Sequence, residues 1–309
     1  MVEVSEQCVT SGGLRLFTER FGDPSDPAVL LVMGTSSQGI GWPDELVETL
    51  VAGGRQVVRF DHRDTGRSDC VDFASEPYTI SEMTADTLAV LDGWGIDAAH
   101  VVGASLGGTI AQLLAVHHPE RVRGLTAIMT SPMGHDSGPA WERAMAGLEP
   151  DPDDLPAPSP EFLQRLMSTV TVPRETREDR IAASLEVLRL LHGDGLPFDE
   201  PVARRYAEEA HDRATNPAAA NNHDLAGRTR TDDRQAPLSS VGVPTLVIHG
   251  SKDPLLPLPH GEAVAAAIPG ARLHVIEGMG HSLYAPGLPR RVAEAILEHS
   301  AHDRETFPM

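Results

Sequence analysis

Three residues of this 309-residue chain are of the types that together turn a hydroxyl into a nucleophile: Ser105, Asp253 and His281. Ser105 stands in Gly103-Ala104-Ser105-Leu106-Gly107, a G-x-S-x-G pattern between the apolar run "HVVGA" and the helix-like run "LGGTIAQLLAVHH". A strand-to-helix turn this tight admits only small flanking residues, which Gly103 and Gly107 supply. The pattern alone is a weak signal. Its position after a strand and at the start of a helix, whose amino terminus favours developing negative charge, strengthens it.

A serine hydroxyl is a poor nucleophile near neutral pH, so it needs a general base and a third group that orients the base. "EGMGHSL" sets His281 in a Gly-rich loop just past the last expected strand, and "HGSKDPLLP" sets Asp253 just past the preceding one. Ligand sites in open α/β sheets gather at the carboxyl ends of strands, so residues on separate strand-following turns can converge. Asp253 also begins an Asp-Pro turn signal, and Asp136, after the strand ending near 129, is the rival third member. His62, His249 and His274 lie in or beside expected strands and are given no role. Because the imidazole must be neutral to accept a proton, activity is expected to fall toward acid pH.

The same chemistry requires two donors aimed at an oxyanion. One is expected to be the backbone N–H of Leu106, the residue after the nucleophile, and the other the N–H of Thr35, in the Gly-rich loop that follows "AVLLVM". Gly34, Thr35 and Leu106 are therefore the expected substrate contacts.

These loops must be held by a sheet. "EQCVT" and "LRLFTERFG", joined through Ser11-Gly12-Gly13, read as an antiparallel hairpin. "AVLLVM" (28 to 33), "QVVRF" (56 to 60), "HVVGA" (100 to 104) and "GLTAIM" (124 to 129) read as strands buried on both faces, spaced widely enough for crossover helices. Thr79 with Glu82 fits a capping box opening a helix over 79 to 95, and Pro119 stops a second helix over 106 to 118. From 134 to 237 the strand pattern vanishes: a loop rich in Pro and Asp is followed by helix-like stretches near 160 to 171, 176 to 193 and 199 to 214. Strands resume with "PTLVIHG" and "ARLHVIEG", and "GEAVAAAI" and "RRVAEAILEHS" read as helices. The expected architecture is a mostly parallel α/β core over 1–133 and 238–309, interrupted by a helical cap over 134–237.

Composition narrows the function. A hydrophobic share of 40% suffices for a buried core, and a formal net charge of -20 would repel phosphate backbones and anionic lipid alike, so neither nucleic acid nor a membrane is expected as partner. The amino terminus lacks the basic start and apolar core of a secretory signal, and no run suits a membrane span, which points to the cytoplasm. Cys8 and Cys70 are expected to be reduced thiols, and the 14 histidines show no metal-ligand spacing, so no metal is expected. No feature sets an oligomeric state.

Taken together, "VMG", "DHRDTGRS", "GASLGG", "PTLVIHGSKDP" and "IEGMGH" resemble the α/β-hydrolase family over nearly the full length. "DHRDTGRS" is similar to the family's D-x-R-G-x-G-x-S turn, with Asp64 where Gly is usual, and "MG" stands where many members have His-Gly. Within the family, "GWPDEL", "VLDGWGIDAAHVVG" and "IEGMGH" look most like the actinobacterial methylesterases of aromatic polyketides, the aclacinomycin methylesterase group. That resemblance implies a small-molecule substrate, hydrolysis of a carbomethoxy ester on a polycyclic skeleton, a cap over the pocket and no cofactor. The cap offers no transferable motif. Its Trp141, Phe162, Phe198 and Tyr206 are candidates for an apolar pocket wall, although aromatic residues on helices more commonly pack the core.

Lactonases, carbon–carbon bond hydrolases and perhydrolases use the same three residue types and stay open as alternatives, as does a non-hydrolytic binding protein or cyclase of the same fold. Relatives with a carboxylate nucleophile, such as epoxide hydrolases and haloalkane dehalogenases, do not fit Ser105.

Overall fold

The computed structural model describes residues 3–172, 175–229 and 231–301. In chain order the elements are β1 (Val4–Ser11), β2 (Leu14–Phe21), β3 (Ala28–Val32), α1 (Asp44–Ala52), β4 (Gln56–Phe60), α2 (Ile80–Gly93), β5 (Ala99–Ala104), α3 (Leu106–His117) and β6 (Val122–Ile128). Five helices follow: α4 (Gly138–Met145), α5 (Pro160–Thr171), α6 (Arg177–His192), α7 (Glu200–Arg213) and α8 (Asn222–Arg228). The chain then returns to the sheet with β7 (Thr245–Gly250), α9 (Pro259–Ala267), β8 (Arg272–Ile276) and α10 (Leu288–Ser300).

The eight strands form one sheet in the order β1-β2-β4-β3-β5-β6-β7-β8. β1 and β2 pair antiparallel with Ser11 opposite Leu14, leaving Gly12 and Gly13 as a two-residue loop. Both glycines have positive φ, at 54° and 88°, as a hairpin turn matched to the right-handed strand twist requires. β2 pairs antiparallel with β4, and every later pairing is parallel. Strands β4 to β8 therefore all deliver their carboxyl ends to one edge.

Every residue of β3, β4, β5 and β7 is buried, which accounts for their mostly apolar character, with Gln56, Arg59, His100, Thr245 and His249 as buried polar exceptions. Leu30 and Val32 pack with α2, α3 and α9 on one face, while Val29 and Leu31 pack with α1 and α10 on the other. β8 lies at one edge of the sheet, and four of its five residues are exposed. The Thr79–Glu82 capping box is present at the start of α2. The three helices expected between 160 and 214 form, as α5, α6 and α7.

Two helices lie where none was expected. α4 opens on the Gly138-Pro139 pair, and α8 has only seven residues, fewer than an amphipathic repeat needs to show itself. No helix among the described residues is long and apolar enough to cross a membrane. Cys8 and Cys70 are free thiols.

Candidate active site

The turn between β5 and α3 forces Ser105 to φ 53° and ψ −118°, a left-handed conformation unusual for a residue with a side chain. Such strain costs of order 1–3 kcal/mol and persists only where the surroundings over-determine it. Here the Ser105 N–H donates to the Ile128 carbonyl at 3.0 Å, and the Ser105 carbonyl accepts from Thr130 Oγ1 at 2.8 Å and from the Gly108 amide at 2.8 Å. The flanking glycines are needed for space. A Cβ on Gly103 would lie 2.1 Å from the Gly107 carbonyl oxygen, and one on Gly107 would lie 2.0 Å from that of Val32. α3 can thus abut the end of β3, which brings the loop after β3 over the serine: a Cβ on Gly34 would lie 3.2 Å from Ser105 Cβ.

That loop carries Thr35. The Ser37 amide donates to the Gly34 carbonyl at 3.2 Å, closing a turn with Thr35 and Ser36 at its centre. Ser36 has φ 58°, the positive value that the third residue of a type II turn adopts. Among the described residues, neither the Thr35 nor the Leu106 amide takes part in the turn and cap hydrogen bonds. Both stand beside Ser105, one at the neighbouring loop and one as the first residue of α3.

Asp253 and His281 meet: Asp253 Oδ2 accepts from His281 Nδ1 at 2.7 Å, with both side chains almost wholly buried. The other carboxylate oxygen, Oδ1, accepts from the Leu255 and Leu256 amides at 2.9 and 2.8 Å, so the turn begun by Asp-Pro fixes the acid as well as reversing the chain. A carboxylate can only accept, so Nδ1 carries the proton and Nε2 presents a lone pair. The His281 amide in turn donates to the Leu191 carbonyl of α6 at 2.8 Å, and a Cβ on Gly280 would lie 2.1 Å from the His192 carbonyl oxygen. Asp136, the rival acid, is exposed, and its Oδ1 accepts from the Gly138 amide at 3.0 Å. Ser105, Asp253 and His281 follow the parallel strands β5, β7 and β8, and Thr35 follows β3, all on the same edge of the sheet.

Sequence reasoning passed over the histidines around this edge. Buried His249 donates through Nε2 to the Leu256 carbonyl at 2.8 Å, bracing the turn that holds Asp253; burial lowers its pKa. His62 donates through Nε2 to the Met33 carbonyl at 2.9 Å, and burial lowers its pKa to about 4. His223, on α8, accepts the Ser36 amide on Nδ1 at 2.9 Å and donates from Nε2 to the Arg63 carbonyl at 2.8 Å. Burial, with His62 nearby, lowers its pKa to about 4 as well. His274 is exposed on β8.

Asp64, the departure from the usual glycine, is buried at φ 67° and knits the same region together. It accepts from the Val71 amide at 2.6 Å, from Tyr78 Oη at 2.6 Å and from Asn222 Nδ2 at 3.1 Å. Of the four aromatic residues singled out between 134 and 237, Phe198 and Tyr206 pack against Leu185, Ala203 and Tyr284, with the Tyr206 and Tyr284 rings stacked at 5.7 Å. Among the described residues no cluster of His, Cys, Asp and Glu is arranged to hold a metal ion.

Residues 27–288 match the model of the alpha/beta hydrolase fold. The chain belongs to the α/β-hydrolase family. This hydrolase is 44% identical over 292 residues to rhodomycin D methylesterase DnrP of Streptomyces peucetius, spanning 94% of this chain and 97% of that one. It is 42% identical over 292 residues to rhodomycin D methylesterase DauP of Streptomyces sp. (strain C5), with the same coverage. Among solved structures, a hydrolase from Pseudomonas aeruginosa PA01 superposes with a TM-score of 0.70 at 27% identity, over 96% of this chain and 98% of that one. With methylesterases among its relatives at this identity and coverage, this α/β hydrolase is a carboxylic ester hydrolase.

Proposed function

We propose that this hydrolase removes the methyl group of a carbomethoxy ester borne by a polycyclic aromatic polyketide, through an acyl-enzyme on Ser105. Ser105 Oγ attacks the ester carbonyl while His281 Nε2 takes its proton, and Asp253 holds the imidazole in the required tautomer and stabilises its charge. The tetrahedral oxyanion accepts from the Leu106 and Thr35 amides. His281 then protonates the departing oxygen, methanol leaves, and a water deprotonated by the same nitrogen hydrolyses the acyl-enzyme to the free acid. Every proton has a named donor and acceptor within the chain, so the reaction requires no cofactor.

The observation that carries this reading is the 2.7 Å Asp253–His281 bond on the sheet edge that also presents the strained Ser105. The aromatic polyketide skeleton is supported by the relatives, which are methylesterases of rhodomycin D. Residues 134–237 act as a cap whose α6 and α7 wall the site, and the enzyme works in the cytoplasm on a small diffusible ester. Incubation with a tetracyclic carbomethoxy substrate should yield equimolar methanol and acid by mass spectrometry. Unchanged substrate, with hydrolysis confined to lactones or vinylogous diketones, would replace the methylesterase reading.

A further inference from the structure

The loop carrying Thr35 is not held by the core alone. Two histidines from different parts of the chain grip its backbone at either end: His62 Nε2 donates to the Met33 carbonyl, and His223 Nδ1 accepts the Ser36 amide. Their rings meet edge to face with centroids 5.7 Å apart. Between these points lie Gly34, against Ser105 Cβ, and Thr35. The Ser36 hydroxyl adds a third grip, donating to the Ala220 carbonyl at 2.7 Å.

α8 is itself fastened to the core at its first residues. Asn222 donates to Asp64 and to the Val71 carbonyl, and His223 donates to the Arg63 carbonyl. His223 therefore spans two core loops at once, with Nε2–H on the loop after β4 and the Nδ1 lone pair on the loop after β3.

A residue with a side chain at φ 58° needs such support. The left-handed conformation costs roughly 1–2 kcal/mol. Released from its acceptor, the Ser36 amide has reason to rotate; the Thr35–Ser36 peptide plane turns with it, changing Thr35 ψ and shifting the adjoining Gly34–Thr35 peptide that carries the Thr35 N–H. An oxyanion donor works only if its N–H already points where charge develops, and a displacement of about 1 Å can cost on the order of 100-fold in rate.

We propose that His223 is a positioning residue for the oxyanion loop, its Nδ1 fixing the Ser36 amide so that the Thr35 N–H stays aimed at the reacting carbonyl. The proposal rests on the serine-hydrolase reading above. It places one of the reaction's alignments under the control of the helical segment between β6 and β7.

Two substitutions separate the two hydrogen bonds. His223→Asn keeps an acceptor at the Nδ1 position and loses the donor to Arg63, whereas His223→Gln keeps a donor at the Nε2 position and loses the acceptor for Ser36. The test uses the whole protein, with p-nitrophenyl acetate for steady-state kinetics and a fluorophosphonate for the rate of serine phosphonylation, alongside thermal melts. His223→Gln should lose about 10-fold to 100-fold in kcat and in phosphonylation rate, with KM within about threefold of wild type, while His223→Asn stays within about threefold in both rates. The ordering should hold even where the two variants melt at the same temperature.

Equal rates for the two variants, or losses that follow melting temperature alone, would overturn the positioning role and leave His223 a structural residue. Should one variant fail to fold, His223→Ala and the double variant His223→Ala/Ser36→Gly replace the pair: glycine carries no left-handed penalty at φ 58°, so a phosphonylation rate lost in the single variant and recovered in the double supports the proposal, and a rate unchanged in the single variant or unrecovered in the double counts against it. A wild-type protein that neither hydrolyses the ester nor reacts with the fluorophosphonate would instead end the serine-hydrolase reading itself.

Discussion

Asp253 Oδ2 accepts a hydrogen bond from His281 Nδ1 at 2.7 Å, while the Leu255 and Leu256 amides hold the carboxylate's other oxygen. This division of labour lets one substitution address the imidazole alone. In Asp253→Asn the amide oxygen can keep the two backbone donors, and the NH2 group then faces Nδ1, driving the ring proton to Nε2. Such a tautomer cannot accept from Ser105, so kcat is expected to fall on the order of 10⁴-fold with a small change in melting temperature. Steady-state kinetics on a methyl ester together with a thermal melt checks both parts.

The turn between β5 and α3 makes a stability prediction independent of catalysis. A methyl group on Gly107 would sit 2.0 Å from the Val32 carbonyl oxygen, and that carbonyl belongs to the buried end of a central strand with no room to withdraw. Gly107→Ala is expected to destabilise by about 3 kcal/mol or more. Urea unfolding would show it as a lower midpoint, and an unchanged midpoint would mean that α3 and β3 are further apart than described.

The histidine pair predicts acid lability. His62 and His223 are held from the ordinary histidine value of 6.5 down to about 4 by burial, so the unfolded chain binds more protons than the folded one between those pH values. Their effect on stability is therefore nil above about pH 6.5, grows as pH falls, and is complete near pH 4. Each ring removes roughly 1.4 kcal/mol per pH unit across that window. Urea midpoints at about pH 7.5 and about pH 5 should differ accordingly, and His223→Asn should flatten the slope by about half of the pair's share.

Arg213, at the end of α7, grips the core through Asp61, with Nη1 3.0 Å from Oδ1 and Nη2 3.0 Å from Oδ2. Asp61 is buried and also accepts from the Gly39 and Arg67 amides. Arg213→Leu leaves that charge without its cation and is expected to cost about 3 kcal/mol. Differential scanning calorimetry measures this. A loss confined to a separate, lower-temperature transition would mean that α7 melts independently of the sheet.

The sheet was legible because its central strands are buried on both faces, so β3, β4, β5 and β6 appear as mostly apolar runs, with helical periodicity between β4 and β5 and between β5 and β6. Ser105, Asp253 and His281 stood out because each follows such a run in a turn of small or polar residues. The histidine grips were not legible. His62 and His223 lie 161 positions apart, and nothing in their local sequence distinguishes a ring that braces a backbone loop from one that merely fills space. α8 escaped notice for a related reason: seven residues, three of them Asn222, His223 and Asp224, show no periodic face, and the helix exists because its side chains bond to loops distant in sequence. Asp64 reads as an anomaly in a glycine position until the Tyr78 hydroxyl and the Val71 amide are seen to require a carboxylate there.

The central claim is that a covalent acyl group passes through the oxygen of residue 105. Rapid acid quench of the enzyme during turnover of p-nitrophenyl acetate, followed by peptide mass spectrometry, reads that directly. An acetyl group on the peptide containing Ser105, absent from the Ser105→Ala variant, which also ceases to turn over, is the expected result. Turnover that persists in Ser105→Ala, or a label carried by a different residue, would contradict it.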